Sequence, residues 1–335
     1  MSGFDLSAGG KTYLVTGGAG FIGSHVVEAL LARGAQVLVV DDFNDYYEPA
    51  IKESNLAQAL ENPRFRLYRT DIRSIQSLRE IFEAHGADIA TGGIIHLAAR
   101  AGVRPSLKEP RLYLETNVTG TLNLLELARE YGIKKFVFAS SSSVYGDSPE
   151  RVPFTETQDV SRPVSPYAAT KAMAESLLHS YSHLYGIQVV ALRFFTVYGP
   201  RQRPDLAIHK FTRLIDQGLP LPMFGDGSTR RDYTYIDDIL QGVLAAVRYD
   251  ASPFEVFNLG ESQTTSLAEL IGLLEEILGK KALIESHTLQ VGDVPITFAD
   301  ISKSHRLLGY NPTTLISKGL PLFVNWYQSS HQLVL

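Results

Sequence analysis

The chain has 335 residues, enough for one large α/β domain or two smaller ones. Its 31 Lys and Arg against 36 Asp and Glu give a formal net charge of −5 at pH 7, which favours neither nucleic-acid nor anionic-membrane binding. It contains no cysteine, which excludes a disulfide framework and a cysteine nucleophile and fits a cytoplasmic location. Residues 1–10 lack the pattern of a signal peptide, and no apolar stretch reaches the ~20 residues of a membrane helix, so neither is expected.

A glycine-rich turn separates the first predicted strand from the first predicted helix. Residues 13–15 are apolar, residues 16–23 carry the glycines, and residues 26–31 are amphipathic. Glycine at such a turn lets backbone N–H groups and the positive end of the helix dipole approach a pyrophosphate. The pattern predicts a dinucleotide-binding turn formed by Gly17, Gly20, Phe21, Ile22 and Gly23.

The second predicted strand, residues 36–40, ends at an acidic pair. Asp41 lies about where a dinucleotide site needs a carboxylate for the adenosine ribose. A carboxylate there accepts hydrogen bonds from a ribose diol and repels a 2′-phosphate. The next basic residue along the chain is Lys52. NAD is therefore favoured over NADP.

Strands and helices alternate through the first half of the chain. Further strands are predicted at residues 64–68, 93–97, 135–139 and 189–193, with helices at residues 75–82, 117–131 and 166–185 between them. This alternation predicts an α/β fold with a doubly wound parallel sheet of the Rossmann type and right-handed crossovers.

The pattern changes after residue 200. Proline and glycine cluster at residues 203–204, 218–222 and 225–227, and short helical patches follow at residues 208–217, 267–278 and 318–327. We predict a dinucleotide-binding Rossmann domain over residues 1–200 and a smaller mixed C-terminal substrate lobe over residues 201–335, with chain segments that cross between them.

A tyrosine and a lysine lie one helical turn apart in the helix predicted at residues 166–185. Because a nearby Lys171 ammonium favours the phenolate of Tyr167, this tyrosine can take a proton from a substrate hydroxyl at neutral pH. The fifth strand ends in a run of serines at residues 140–143, at the edge where open α/β sheets keep their sites. Together with a dinucleotide turn, the Ser–Tyr–Lys set predicts hydride transfer. No metal-ligand spacing accompanies it, so no metal is expected.

These motifs, with several further segments, resemble the nucleotide-sugar epimerase group of the extended short-chain dehydrogenases/reductases. The matching segments cover nearly the whole chain and are residues 16–23, 41–47, 70–72, 96–99, 117, 140–146, 167–171, 193–200 and 231–238. The resemblance implies that the cofactor site includes Asn44, Asp71, Ile72, Leu97, Ala98, Ala99, Asn117, Tyr167, Lys171 and Phe194. It also implies a catalytic Ser141 and a homodimer formed through the helices near residues 110–131 and 166–185.

The reaction within this group depends on the residues after Ser141. Dehydratase and decarboxylase relatives carry acidic residues in this segment, whereas this chain has Ser142 and Ser143. A serine of ordinary pKa cannot act as an acid for water loss. The resemblance therefore implies 4-epimerisation of a UDP-sugar through a transient 4-keto sugar, with tightly bound NAD recycled in each cycle. The alternative function is a non-catalytic sensor of NAD or nucleotide sugars. Such a sensor has no need of the Ser–Tyr–Lys set.

The finer resemblance is to UDP-glucuronate 4-epimerases, which convert UDP-glucuronate to UDP-galacturonate. UDP-glucose 4-epimerases, the alternative, more often have Asn at position 196 and Arg at position 290, where this chain has Thr196 and Gln290. Arg201 and Arg203 offer guanidinium groups for a substrate carboxylate. In the alternative interpretation, these arginines contact pyrophosphate or solvent instead. The residues expected to bind substrate are Arg104, Thr196, Arg203, Arg231 and Asp293.

Overall fold

The computed structural model describes residues 10–147, 152–288 and 294–332. The strands in these ranges are β1 Thr12–Thr16, β2 Gln36–Asp41, β3 Phe65–Arg69, β4 Gly93–His96, β5 Lys135–Ser141, β6 Gln188–Phe194, β7 Thr196–Tyr198, β8 Pro220–Phe224, β9 Arg230–Arg231, β10 Tyr233–Tyr235, β11 Phe254–Leu259, β12 Thr265–Ser266 and β13 Leu283–His287. The α-helices are α1 Phe21–Ala32, α2 Pro49–Leu60, α3 Ile75–Ile89, α4 Val103–Lys108, α5 Pro110–Leu114, α6 Gly120–Glu130, α7 Pro166–Tyr185, α8 Ala207–Asp216, α9 Ile236–Arg248, α10 Leu267–Leu278, α11 Ser302–Leu308 and α12 Ile316–Gln332. None of these helices is long and apolar enough to cross a membrane.

Seven strands form one parallel sheet in the order β11-β6-β5-β4-β1-β2-β3. The chain runs outward from β1 to β3 and then returns to β4 on the other side of β1, which confirms the predicted doubly wound α/β fold. Strand β1 is buried along its whole length, and β2 is buried except at Gln36. Such unbroken apolar strands are typical of a parallel sheet that helices cover on both faces.

The contacts of the backbone divide the chain into two compact units. The first takes its described residues from Met1–Val144, Ser165–Leu192 and Val243–Val256, and the second takes them from Tyr145–Val164, Arg193–Gly242 and Phe257–Leu335. The chain therefore passes from one unit to the other several times. The division at residue 200 and the substrate lobe over residues 201–335 stay predictions.

The predicted helix at residues 117–131 has a more complex form. Helix α5 continues through a π-helical turn, Glu115–Thr119, into α6. The side chain of Asn117 in this turn binds both backbone groups of Arg100, at 2.8 Å to its N–H and 2.9 Å to its carbonyl oxygen. Single π-helical turns occur frequently at functional sites, and this one holds Asn117 against the loop that follows β4. The helices predicted at residues 208–217, 267–278 and 318–327 are confirmed as α8, α10 and α12.

Candidate active site

Two glycines at the connection of β1 and α1, Gly17 and Gly23, have no room for a side chain. Gly17 has a φ of +70°, and a Cβ on it would lie 2.7 Å from the backbone nitrogen of Ala98. A Cβ on Gly23 would lie 2.1 Å from the carbonyl oxygen of Gly17. Helix α1 begins after Gly20 without a side-chain cap, so its first N–H groups suit an anionic ligand. This cradle fits the pyrophosphate of a dinucleotide.

The carboxylate of Asp41 is buried at the end of β2 and held from several sides. Its two oxygens accept hydrogen bonds from the backbone N–H groups of Ala19 at 3.1 Å and Phe43 at 3.0 Å. Helix α2 brings the ammonium of Lys52 to 3.3 Å from Asp41 and 3.8 Å from Asp42, although Lys52 lies 11 residues after Asp41. Because this cation is already paired with two carboxylates, it does not supply an unpaired positive charge for a 2′-phosphate.

Several other predicted cofactor residues of the first unit follow β2, β3 and β4, and Asn117 lies in the π-helical turn. Asn44 is fixed in the loop after β2, where its side-chain oxygen accepts from the N–H of Tyr46 at 3.1 Å. Asp71 follows β3 and is paired with Arg73 at 2.6 Å. The half-buried residues after β4 are Leu97, Ala98 and Ala99, while Ile72 and Asn117 are buried. The carboxyl ends of parallel strands meet at one edge, which explains why residues so distant in sequence share it.

Two hydroxyl groups are ordered where β5 ends. Ser141 Oγ accepts hydrogen bonds from the backbone N–H of Ser143 at 3.2 Å and from Ser143 Oγ at 2.9 Å. A hydroxyl has one hydrogen and two lone pairs. With both lone pairs engaged, Ser141 has its hydrogen left to donate, as a serine that binds a reacting oxygen must. Ser142 lies between them in a 3₁₀ turn, Ser142–Tyr145.

Helix α7 carries the predicted tyrosine and lysine. Ser165 caps it, accepting from the N–H of Ala168 at 3.1 Å, so Tyr167 lies in the first helical turn. The ring of Tyr167 is half-buried and meets the edge of Tyr113, with 6.2 Å between centroids. The Nζ of Lys171 donates to the carbonyl oxygen of Ala139 at 2.7 Å, two residues before Ser141. The first unit therefore holds this face of α7 against the end of β5.

The surroundings of Lys171 change its titration. Burial lowers the pKa of the ammonium to about 7, and the negative charge of Glu175 on the next helical turn acts in the opposite direction. The ammonium also lies over the ring of Phe138, 4.8 Å from the centroid. A buried lysine whose pKa lies near neutrality, held at the carboxyl end of a central strand, is typical of a catalytic site.

The predicted substrate residues lie in different parts of the chain. Arg104 is exposed at the start of α4 in the first unit. Thr196 on β7 and Arg231 on β9 are half-buried in the second unit, where Phe194 is buried at the end of β6. Arg203 follows β7 in that unit, and its Nε and Nη2 donate to the two carboxylate oxygens of Asp205 at 2.9 and 2.7 Å. Gln290 and Asp293 lie outside the described residues.

Comparison with known proteins assigns the chain to a family. The model of the NAD dependent epimerase/dehydratase family matches residues 13–260. The chain belongs to this family. This confirms the resemblance found in the sequence, the α/β fold and NAD as the cofactor.

Individual relatives narrow the comparison within the epimerase/dehydratase family. A UDP-glucuronate 4-epimerase of Thermodesulfobacterium geofontis is 46% identical over 324 residues, which are 96% of this chain and 98% of that protein. The crystal structure of a UDP-glucuronic acid 4-epimerase from Bacillus cereus, in complex with UDP-glucuronic acid and NAD, has a TM-score of 0.88 at 37% identity and covers 95% of this chain and 99% of its own. A UDP-glucose 4-epimerase from Thermotoga maritima, with UDP-glucose, has a TM-score of 0.87 at 35% identity over 96% of this chain and 99% of its own.

Three features of the site were missed by sequence reasoning. They are the ion pair of Lys52 with Asp41, the buried pair of Ser140 and Glu175, and the π-helical turn of Asn117. A signal for Glu175 was present, because a carboxylate four residues after Lys171 falls on the same helix face as Tyr167. Among the described residues, no group of three or more His, Asp or Glu side chains is arranged to hold a metal ion.

Proposed function

We propose that this protein catalyses the NAD-dependent 4-epimerisation of UDP-glucuronate to UDP-galacturonate. The observations that support this proposal are the ordered Ser141 hydroxyl at the end of β5 and the bond from Lys171 to Ala139 on the same strand. Tyr167 lies one helical turn before Lys171 on α7, and the chain is 46% identical to a UDP-glucuronate 4-epimerase over 96% of its length. An active site that keeps these three side chains supports an enzyme over a non-catalytic sensor of NAD or nucleotide sugars.

Each of the three side chains has a distinct role in the proposed reaction. The phenolate of Tyr167 takes the proton of the sugar C4 hydroxyl and later returns it, and the Lys171 ammonium favours this phenolate. Ser141 donates its hydrogen to the reacting oxygen, with its orientation fixed by Ser143. When bound, NAD supplies the acceptor and donor for the C4 hydride. Because the same cofactor must return the hydride, we expect it to stay tightly bound between the two steps.

The serine turn supports epimerisation over elimination. Loss of water or carbon dioxide is promoted by an acid beside the catalytic serine, but positions 142 and 143 are both serine. A serine hydroxyl cannot donate its proton at neutral pH as a carboxylic acid can. The 4-keto sugar is therefore expected to rotate and be reduced again instead of reacting further.

A uronate substrate presents an additional chemical problem. Oxidation of glucuronate at C4 makes a β-keto acid, which loses carbon dioxide easily unless the carboxylate is held near the plane of the ring carbonyl. We propose that Thr196 and Arg203 hold it. The backbone of Thr196 is fixed by its N–H bond to the carbonyl oxygen of Asp232 at 3.0 Å, and Asp205 fixes one edge of the Arg203 guanidinium. Preorganised donors of this kind bind a planar carboxylate with a defined orientation.

The substrate proposal is tested by incubating the purified protein with UDP-glucuronate and UDP-glucose and identifying products by NMR. We expect UDP-galacturonate to form faster than UDP-galactose. Arg203→Ala should raise KM for UDP-glucuronate by about 10- to 150-fold, the loss of one charge-assisted hydrogen bond, and should release some UDP-pentose. Arg213→Ala is the matched control: it removes an α8 guanidinium that donates to Gln217, just after the helix, and should change neither KM for UDP-glucuronate nor the release of UDP-pentose.

The results that contradict this proposal separate its parts. Preference for UDP-glucose would refute the substrate and leave 4-epimerisation standing. That second candidate is favoured by the similarity to the Thermotoga maritima UDP-glucose 4-epimerase. Unchanged uronate kinetics in Arg203→Ala, without UDP-pentose, would mean that another group holds the carboxylate, and Arg104 would be the next to test.

We further propose that the protein is a cytoplasmic homodimer built from α5, α6 and α7. Apolar side chains are exposed on two of these helices, with Leu114 on α5 at 44%, and Met173 and Leu184 on α7 at 46% and 65% exposed. Leu178 is fully buried in the core of the first unit, so it cannot contribute to an interface. Light scattering should give a dimer mass for the parent and a monomer mass for Met173→Glu combined with Leu184→Glu. A monomeric parent at micromolar concentration would refute the dimer.

A further inference from the structure

A buried carboxylate lies one helical turn beyond Lys171. Glu175 is 7% exposed, and it follows Lys171 by four residues and Tyr167 by eight on α7. Residues at this spacing share one face of a helix. An ionised carboxylate is costly to bury unless hydrogen bonds or an opposite charge compensate for the lost water. The fold therefore places a charged group behind the catalytic pair at a position where an apolar residue would pack more easily.

Two hydrogen bonds connect this helix face to the end of β5. Ser140 Oγ donates to Glu175 Oε1 at 2.5 Å, and both side chains are buried. Lys171 Nζ donates to the carbonyl oxygen of Ala139 at 2.7 Å. Two consecutive strand residues thus bind two consecutive turns of α7, and the next strand residue is Ser141. The relative position of the serine and the helix is fixed through these contacts.

Glu175 also acts electrostatically on Lys171. Burial lowers the pKa of Lys171 to about 7, and the Glu175 charge raises it from what burial alone would give.

His96 on β4 is neutral near pH 7, because burial and the Lys171 charge lower its pKa to about 3. Tyr113 faces the Tyr167 ring from α5. On α6, the carboxylate of Glu126 accepts from Tyr181 further along α7. The other charged side chains of α4, α5, the π-helical turn and α6 are exposed or partnered at the surface: Arg104, Lys108, Arg111, Glu115, Arg129 and Glu130.

We propose that Glu175 is a positioning residue for the reaction: held by Ser140, it supplies the counter-charge of the buried Lys171 and fixes α7 against the serine end of β5. This inference rests on the proposed function, because it assumes the roles given there to Tyr167 and Lys171. The counter-charge raises the protonated fraction of Lys171 above what burial alone would allow. A protonated Lys171 then favours the phenolate that takes the substrate proton.

The test uses the NAD-loaded protein and the variant Glu175→Gln, which keeps the size of the side chain and an acceptor for Ser140 but removes the charge. The pKa of Lys171 is read from the ε-carbon signal of ¹³C-labelled lysine, assigned with Lys171→Arg. Loss of a neighbouring opposite charge should lower this pKa by about 1 to 3 units. In the pH profile of kcat/KM, the limb that reports the phenolate should move to higher pH.

Ser140→Ala is the matched control, because it removes the hydrogen bond and keeps the charge. It should lower kcat while leaving the pKa of Lys171 and the pH profile close to those of the parent. If Glu175→Gln changes neither the pKa of Lys171 nor the pH profile of kcat/KM, Glu175 has no electrostatic role and the proposal is refuted. A parent protein without epimerase activity would refute the proposed function instead, and the NMR titration would still decide whether Glu175 is the counter-charge.

The proposal remains testable if Glu175→Gln does not fold. The double variant Glu175→Gln/Lys171→Gln removes both charges at once. If it folds where the single variant does not, the unpaired Lys171 charge caused the failure, which supports the proposed pairing. If neither folds, the unpaired Lys171 charge is not the cause of the failure, and the proposed pairing is refuted.

Discussion

His96 provides a direct test of the buried polar network beneath the cofactor turn. It lies at the end of β4, 1% exposed, and its two ring nitrogens bind hydroxyls on neighbouring elements. Nδ1 lies 2.6 Å from Thr16 Oγ1 on β1, and Nε2 lies 2.9 Å from Thr121 Oγ1 on α6. Burial and, to a lesser extent, the charge of Lys171 lower the pKa of the imidazole from 6.5 to about 3. The folded protein therefore holds His96 neutral at every pH at which enzymes of this kind are normally assayed.

The depressed pKa makes stability depend on pH in a defined direction. The unfolded chain protonates this histidine near pH 6.5 and the folded chain only near pH 3, so acid favours the unfolded state between these values. The contribution of His96 is fully present above pH 6.5 and is lost as the pH falls toward 3. From the two pKa values, the loss is about 2 kcal/mol at pH 5 and about 3 kcal/mol at pH 4.

The measurement compares urea unfolding of the parent and of His96→Gln from pH 7.5 to 4 at one fixed NAD concentration. The variant is less stable at pH 7.5, because it loses buried hydrogen bonds, but its free energy of unfolding should fall less steeply with acid. The difference in free energy of unfolding between the parent and His96→Gln should become smaller by about 2 kcal/mol between pH 7.5 and pH 5. His183→Gln, at an exposed position near the end of α7, is the control and should follow the parent. Parallel curves for parent and His96→Gln would refute a neutral buried imidazole.

Three further predictions concern the reaction and the cofactor cradle. Tyr167→Phe keeps the ring and removes the hydroxyl, so kcat should fall by about 10²- to 10⁴-fold with UDP-sugar binding mostly retained, and near-normal turnover would contradict its role. NAD should copurify with the protein and be detected after denaturation, with little stimulation by added NAD; a requirement for one NAD per turnover would contradict recycling. Gly23→Ala should lose NAD and unfold at a lower temperature, because its Cβ would lie 2.1 Å from the Gly17 oxygen. Gly272→Ala on α10, with nothing within 4 Å of its Cβ, should instead be neutral or stabilising by up to about 1 kcal/mol.

Much of the fold was predictable from the sequence because the signals are local. An apolar run, a glycine turn and an amphipathic run define β1 and α1 without reference to the rest of the chain. The same holds for Tyr167 and Lys171, whose spacing alone puts them on one helix face. Parallel topology then adds one general rule, that the carboxyl ends of the strands meet, and this rule already predicts that Asp41 and Ser141 lie on the same edge of the sheet.

The tertiary structure alone decided which polar groups pair within that edge. Lys52 on α2 reaches Asp41 at the end of β2, and Ser140 reaches Glu175 because α7 packs on β5. The residues of each pair lie on different elements, 11 and 35 positions apart, so no periodicity in the sequence relates them. Residue type and spacing determine which surfaces a helix or strand presents, whereas the partner of a buried charge is determined by how separate elements pack together.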